Sequence, residues 1–222
     1  MVMKQARTCA ANPRSAGHLR GARAMYGFNI IELMTVLVIF GVLFALAIPE
    51  FRSYTQNTRM LAAAQGFFGA LQQARAEAIR LNAPVQVILT DNDVLTNPNI
   101  SDTSSTGKNW MVRSFNRGTA SFDLVNAKSG TEGGTTGQVE ISGTDAATNP
   151  LAIVEFNGLG GTTLTSVATF AIRPAAGQGT CSTSTDQNQL RCLNVVVTPG
   201  GRSQVCDPAV TAAADARRCI LS

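Results

Sequence analysis

Residues 27–49 read GFNIIELMTVLVIFGVLFALAIP, and the reading of this stretch decides how the remainder of the chain is interpreted. From Phe28 to Ile48 only Asn29, Glu32, Thr35 and Gly41 interrupt an apolar run. Twenty-one helical residues extend roughly 31 Å at 1.5 Å each, which matches a hydrocarbon core of about 30 Å. Upstream, Lys4, Arg7, Arg14, Arg20 and Arg23 stand in residues 1–27 without a single acid. Unmatched bases stay on the cytoplasmic side, so the spacing predicts one membrane crossing with the C-terminal part outside. A cleaved secretory signal would carry a shorter apolar region, about 7–15 residues, ahead of a small-x-small site. Here the run is longer and ends on Pro49-Glu50, which favours an anchor.

Glu32 is the anomaly within the run. A carboxylate there costs about 2.5–3.5 kcal/mol on insertion scales, and polar groups in such segments generally serve a function. Gly27-Phe28-Asn29-Ile30-Ile31-Glu32-Leu33-Met34 resembles the type IV prepilin signal. The resemblance implies that a dedicated aspartic peptidase cuts after Gly27 and that Phe28 becomes an N-methylated terminus. It further implies that Glu32, fifth after the cut, serves assembly. Pro49 falls twenty-second after the cut, where many pilins carry a helix-kinking proline. The leader is longer than is usual for the family, and Asn29 stands where threonine is commoner. The physics agrees with the resemblance. A freed amine on Phe28 and the Glu32 carboxylate of a neighbouring subunit attract strongly in low dielectric, whereas either is costly to bury alone.

Beyond the anchor, Met60, Ala64, Phe67, Leu71, Ala74, Ala78 and Leu81 recur at three- and four-residue steps, the pattern of a helix with one packed face. Asn82 and Pro84 supply its stop, and Pro49 is expected to bend it near the membrane. The period then changes. VQVIL (85–89), WMVRSF (110–115), QVEIS (138–142), AIVEF (152–156), VATFAI (167–172) and LRCLNVVV (190–197) read as strands. The stretches 91–109 and 126–150, rich in Ser, Thr, Asn and Gly, read as surface loops. Nothing alternates as in parallel βαβ units, so the expected fold class is α+β, a long N-terminal helix packed on an antiparallel β-rich head. The expected boundaries are a cleaved leader at 1–27, a transmembrane helix at 28–49, an amphipathic helix at 50–83 and a β-rich head at 84–222.

QQARAEAIRLNAPVQVIL (72–89), Phe156-Asn157-Gly158-Leu159-Gly160 and Gly201-Arg202 together resemble the GspH/FimT/FimU group of minor pilins and pseudopilins. The resemblance implies a small subunit near the filament tip that helps to start assembly of a type IV pilus or a type II secretion pseudopilus. It implies residence in the bacterial inner membrane with the head in the periplasm, before passage into the filament. The implied partners are other pilins or pseudopilins, the prepilin peptidase, an inner-membrane assembly platform and membrane lipid.

Cysteine and charge divide at the same boundary. Cys9 lies in the leader, while Cys181, Cys192, Cys206 and Cys219 form an even set near the C-terminal end, which reads as two disulfides in an oxidising compartment. Four cysteines permit three pairings. Cys181–Cys192 with Cys206–Cys219 is favoured, because it closes short loops around the 190–197 strand. A zinc site would need four converging thiolates, and no close Cys-x-x-Cys pair occurs. Without the five leader bases the chain holds 13 basic residues against 14 acids, so the basic pI belongs to the leader.

Enzymatic function is not expected. The sole histidine, His18, lies in the leader, and no phosphate-cradling loop of the Gly-Lys-Ser/Thr kind is present. Neither a cofactor nor a metal is expected, since the acids Asp91, Asp93 and Asp102 fit no EF-hand spacing. The alternative function is a filament-tip receptor for DNA. FimT-like relatives linked to DNA uptake carry Gly-Arg-x-Arg where this chain has Gly201-Arg202-Ser203-Gln204, so Arg202 lacks the second arginine. Fewer phosphate contacts mean weaker, less salt-dependent binding, unless Arg191, Arg217 and Arg218 compensate. DNA is therefore a possible partner but not the favoured one.

Overall fold

A computed structural model describes residues 29–94, 102–129, 138–183 and 189–219, with the side chains of 46–52 outside the description. The chain divides into two compact units, one ending at Phe44 and one beginning at Ala45. Helix α1 is assigned over Ile30–Leu81.

In the first unit Asn29 caps α1. Its carbonyl accepts the Leu33 amide at 3.1 Å and its Oδ1 faces the Ile31 amide at 3.5 Å. The asparagine that departs from the family's threonine thus performs a capping role. Glu32 lies in the first turn, where a negative charge meets the positive end of the helix dipole. All residues from 29 to 45 are exposed. Among the described residues no helix is long and apolar enough to cross a membrane. The run Phe28–Ile48 read as an anchor extends at both ends past the residues whose side chains are described.

The second unit is built on the remainder of α1. Met60, Ala64, Phe67, Leu71, Ala74 and Ala78 are buried, and Leu81 is half-buried. Three alanines and two leucines with only one ring among them keep this face shallow, so that two sheets approach the helix closely. The helix stops in a Schellman turn. Asn82 takes φ +46°, its amide reaches the Ile79 carbonyl at 3.3 Å, and the Ala83 amide reaches Ala78 at 3.2 Å. Pro84 follows, and strand β1 (Val85–Thr90) begins at once.

The other strands are β2 (Thr106–Gly107), β3 (Asn109–Asn116), β4 (Ser121–Lys128), β5 (Val139–Thr144), β6 (Ile153–Phe156), β7 (Ala168–Pro174), β8 (Leu193–Val197) and β9 (Ser203–Cys206). One sheet has the order β4-β3-β1-β6 and the other β2-β5-β7-β8-β9, with every pairing antiparallel. The α+β fold is present: alternate residues of β1 and β7 (Val85, Val87, Leu89; Ala168, Phe170, Ile172) meet the helix stripe in one core. Gln73 Oε1 accepts from Asn126 of β4 at 2.7 Å and Gln72 donates to Ser203 of β9 at 2.7 Å, so adjacent helix residues clasp an edge of each sheet.

Three corrections concern the regions between strands. The stretch 91–109, expected as loop, contains β2 and places Val94 in a small buried cluster with Ile88 and Met111. The stretch 126–150, apart from the expected strand at 138–142 that β5 matches, begins inside β4 and buries Ser129, because Asn109 faces it across the sheet. The expected strand at 190–197 starts only at Leu193. Residues 190 and 191 are drawn off the ladder by Ser182, whose amide donates to Leu190 O (2.8 Å), and by Asn57, which accepts the Arg191 amide (2.9 Å).

Phe67 is buried and its ring lies 4.9 Å from that of Phe170, joining helix to sheet. Phe67→Ala is expected to lower stability by about 3–5 kcal/mol, read from chemical denaturation of the purified protein. A loss below about 1 kcal/mol would place the ring outside the core.

Candidate functional site

At the C-terminal end of α1 three separated pieces of chain meet. The first is the helix cap at Asn82, whose carbonyl also accepts a hydrogen bond from Arg117. The second is the loop after β6. There the Asn157 amide donates to Gly161 O (2.9 Å), the Gly160 amide donates to Asn157 O (2.9 Å), and Asn157 Oδ1 accepts from the amides of Leu159 (3.0 Å) and Gly161 (3.1 Å). One asparagine side chain therefore satisfies the loop from within. The third is the β8–β9 hairpin, closed by the Thr198 amide on Arg202 O and the Gly201 amide on Thr198 O, both at 2.9 Å.

Glycines make the contacts between these pieces. A Cβ on Gly158 would stand 2.3 Å from Asn82 Oδ1 and 3.1 Å from Asn82 Cα, so only glycine lets the loop seat on the helix cap. Gly160 and Gly201 both adopt positive φ (+81° and +79°), and a Cβ on Gly201 would fall 2.0 Å from the Gly160 carbonyl oxygen. The two loops thus touch backbone to backbone, reinforced by the Thr162 amide donating to Pro199 O at 2.8 Å. Arg75 lies across both glycines, its Nε 3.2 and 3.4 Å from those Cβ positions, and Ile79 covers Gly160 beside it. On the outer surface Leu159 is 91 % exposed and Ile79 51 %. Arg202 is exposed, and among the described residues neither it nor Arg75 forms an ion pair.

The residues singled out from the sequence are distributed as follows. Gly27 and Phe28 lie outside the described residues, as does the side chain of Pro49. Glu32 sits in the first turn of α1, in the other unit from the head. Cys181 is bonded to Cys192 and Cys206 to Cys219. Arg202 is brought together with Gly160 through Gly201, but two of the three arginines considered as its helpers are engaged elsewhere, while the exposed Arg218 forms no ion pair among the described residues. Arg191 pairs with Asp207, which is only 2 % exposed, and Arg217 holds Asp215 through hydrogen bonds of 3.1 and 2.6 Å. The Arg217 guanidinium brings the Asp215 carboxyl down to about 2. A cavity of about 330 Å³ lies between Leu61, Leu193 and Val205, and these two committed arginines stand on its wall. Asp91 and Asp102 are tied to Ser104 and Asn92, and no group of three or more His, Cys, Asp or Glu among the described residues is arranged to hold a metal ion.

Sequence reasoning missed Arg75, Ile79 and the roles of Asn82 and Asn157 at this junction. It also missed Asn57, which ties α1 to residues 189–191 through Nδ2 on Gln189 O and Oδ1 on the Arg191 amide, both at 2.9 Å. Clustered glycines at 158, 160, 200 and 201 were the available signal.

The model of the family described as type II transport protein GspH matches residues 63–201, which include the helix stripe from Ala64 onward, strands β1 to β8 and the glycines of both loops. The chain belongs to the GspH family. Two proteins of Pseudomonas aeruginosa, each described as a fimbrial protein, are 42 % identical to this GspH-family chain over 57 residues. Those 57 residues are 26 % of the chain and span about a third (36 %) of the length of each relative. Among solved structures it is similar to the type IV minor pilin FimU of P. aeruginosa strain PAO1 (16 % identity, 68 % of this chain and 91 % of that one, TM-score 0.43). It is also similar to EpsH, the minor pseudopilin of the type 2 secretion system of Vibrio cholerae (15 % identity, 68 % and 98 %, TM-score 0.43).

The loop-to-loop contact generates a paired test. Gly201→Ala combines a left-handed backbone with a 2.0 Å clash and is expected to destabilise by about 2 kcal/mol or more. Gly200→Ala meets nothing nearer than 4.0 Å and is expected to change little. Thermal unfolding of the two variants side by side checks this, and equal effects would refute the contact.

Proposed function

We propose that this chain is a minor pilin or pseudopilin that acts by assembly and not by catalysis. In this reading prepilin peptidase cuts between Gly27 and Phe28, and Phe28 is N-methylated. Residues 28–49 hold the subunit in the inner membrane with its head in the periplasm, and Pro49 bends the helix where it leaves the bilayer. The assembly platform then draws the subunit into a type IV pilus or type II secretion pseudopilus, near the tip, where it primes growth.

The observation that carries the reading is the succession of a prepilin-type stretch at 27–34 by a GspH-family head at 63–201. Each half restricts the other. An apolar helix with an acid at its start suits lateral packing among like helices, and a compact disulfide-bonded head suits the periplasm. Burying the helix costs a carboxylate unless a cationic partner is supplied, and a neighbour's freed terminal amine supplies one. The four cysteines in their two short loops add about 3 kcal/mol per bridge in the chain-entropy model, useful to a head that works in the periplasm.

Mass spectrometry of the membrane-extracted protein from a host with an active prepilin peptidase is expected to find a chain beginning at methylated Phe28. Replacing Gly27 by a bulky residue is expected to leave the leader attached. A mature protein that keeps residues 1–27 in such a host contradicts the proposal.

A further inference from the structure

We infer that the surface formed by Leu159, Ile79, Arg75 and Arg202 is a docking site for the head of another subunit, one that offers an apolar socket flanked by carboxylate. The inference rests on the filament reading and names a contact within it.

Leu159 is the most exposed large apolar side chain among the described residues, at 91 %, while its own amide is held by Asn157 Oδ1. Asn157 closes the loop around it with four hydrogen bonds, two of them to the side-chain oxygen, and the Gly160–Gly201 contact anchors the loop from behind. A leucine presented on a fixed turn loses little conformational freedom when it enters a pocket. Ile79 widens the knob, because its Cδ1 lies over Gly160.

Charge decides what kind of partner fits. Around the knob, Glu77 and Arg80 neutralise one another, with their hydrogen bond along the helix. Arg75 and Arg202 are left as positive charges without a counter-ion among the described residues. A carboxylate brought against them on the rim of the socket gains charge-assisted hydrogen bonds and rejects partners with bases there. Duplex DNA is a poorer fit, since its phosphates gain nothing from the leucine at the centre, and two guanidiniums release few counterions.

The test places a photo-activatable benzoylphenylalanine at position 159 of the full chain, expressed with the other pilin-like subunits of its host, followed by irradiation and shearing of filaments. The expected result is one adduct with a different pilin-like subunit, mapped to a peptide that contains Asp or Glu. The double substitution Arg75→Glu and Arg202→Glu is expected to lower its yield at least tenfold, and Arg in place of the mapped acid on the partner is expected to restore it. The same photo-probe at the exposed Leu124 of β4 is expected to give no such adduct. An adduct only with a second copy of this chain, only with lipid, or none at all, in filaments that contain the chain, overturns the inference alone. Duplex DNA binding that is lost in Leu159→Asp overturns it in favour of the DNA reading. Absence of the chain from the sheared filaments overturns the filament reading and this contact with it. Leu159→Asp is expected to leave the melting temperature unchanged, which separates lost docking from lost folding.

Discussion

The packed face of α1 is the constraint on which the head depends. Its alanines at 64, 74 and 78 leave room for backbone-close sheets, and the buried Phe67 ring packs against Phe170. A helix packed this closely must end where the sheet begins, because β1 starts four residues after Leu81. Asn82 makes that possible by accepting a left-handed backbone that most residues refuse. With Asn82 set, Gly158 can lie against it, Gly160 follows, and Gly201 closes on Gly160. The surface at the end of the helix is therefore a consequence of how the core packs, and a fault in the core would be felt there.

The opposite flank of the head is secured by different means. Here Asn57 fixes residues 189–191, two disulfides close loops of 11 and 13 residues in separation, and the Arg191–Asp207 pair is largely withdrawn from water. A buried ion pair adds little net stability over apolar packing, yet removal of one partner is strongly destabilising. Asp207 has a second acceptor oxygen engaged by the Ala209 amide at 2.9 Å, so the carboxylate is held on both sides. The result is a covalently and electrostatically bound segment in which Arg191 and Arg217 are both committed to carboxylates, which is why Arg202 gains no basic company from either.

Much of the fold was legible in the sequence, for a reason visible in particular residues. The stripe from Met60 to Ala78 has the helical period because it faces a core on one side only, and VQVIL and VATFAI are dense in β-branched and aromatic side chains because their strands are central. β4, in contrast, lies at a sheet edge, leaves Leu124 exposed and buries none of its residues fully, so SFDLVNAK carries little burial alternation to read. β9 is four residues long and follows a glycine hairpin, which reads as loop. The candidate site was half legible. Gly160, Gly201 and Arg202 stood out as motif fragments, but Arg75 and Ile79 lie on the helix about 80 residues before Leu159 and join it only through tertiary packing. Asn29, read as a departure from a pattern, acts as the helix cap.

The account's central claim is that Glu32 serves assembly and not anchoring. The direct measurement compares cells that carry the wild-type chain with cells that carry Glu32→Ala, and quantifies the subunit by mass spectrometry in the membrane and in sheared filaments or pseudopili. The account predicts equal or greater amounts of the variant in the membrane, because a costly charge has been removed, together with its loss from the filament fraction. Filaments that contain Glu32→Ala at the wild-type level would contradict it.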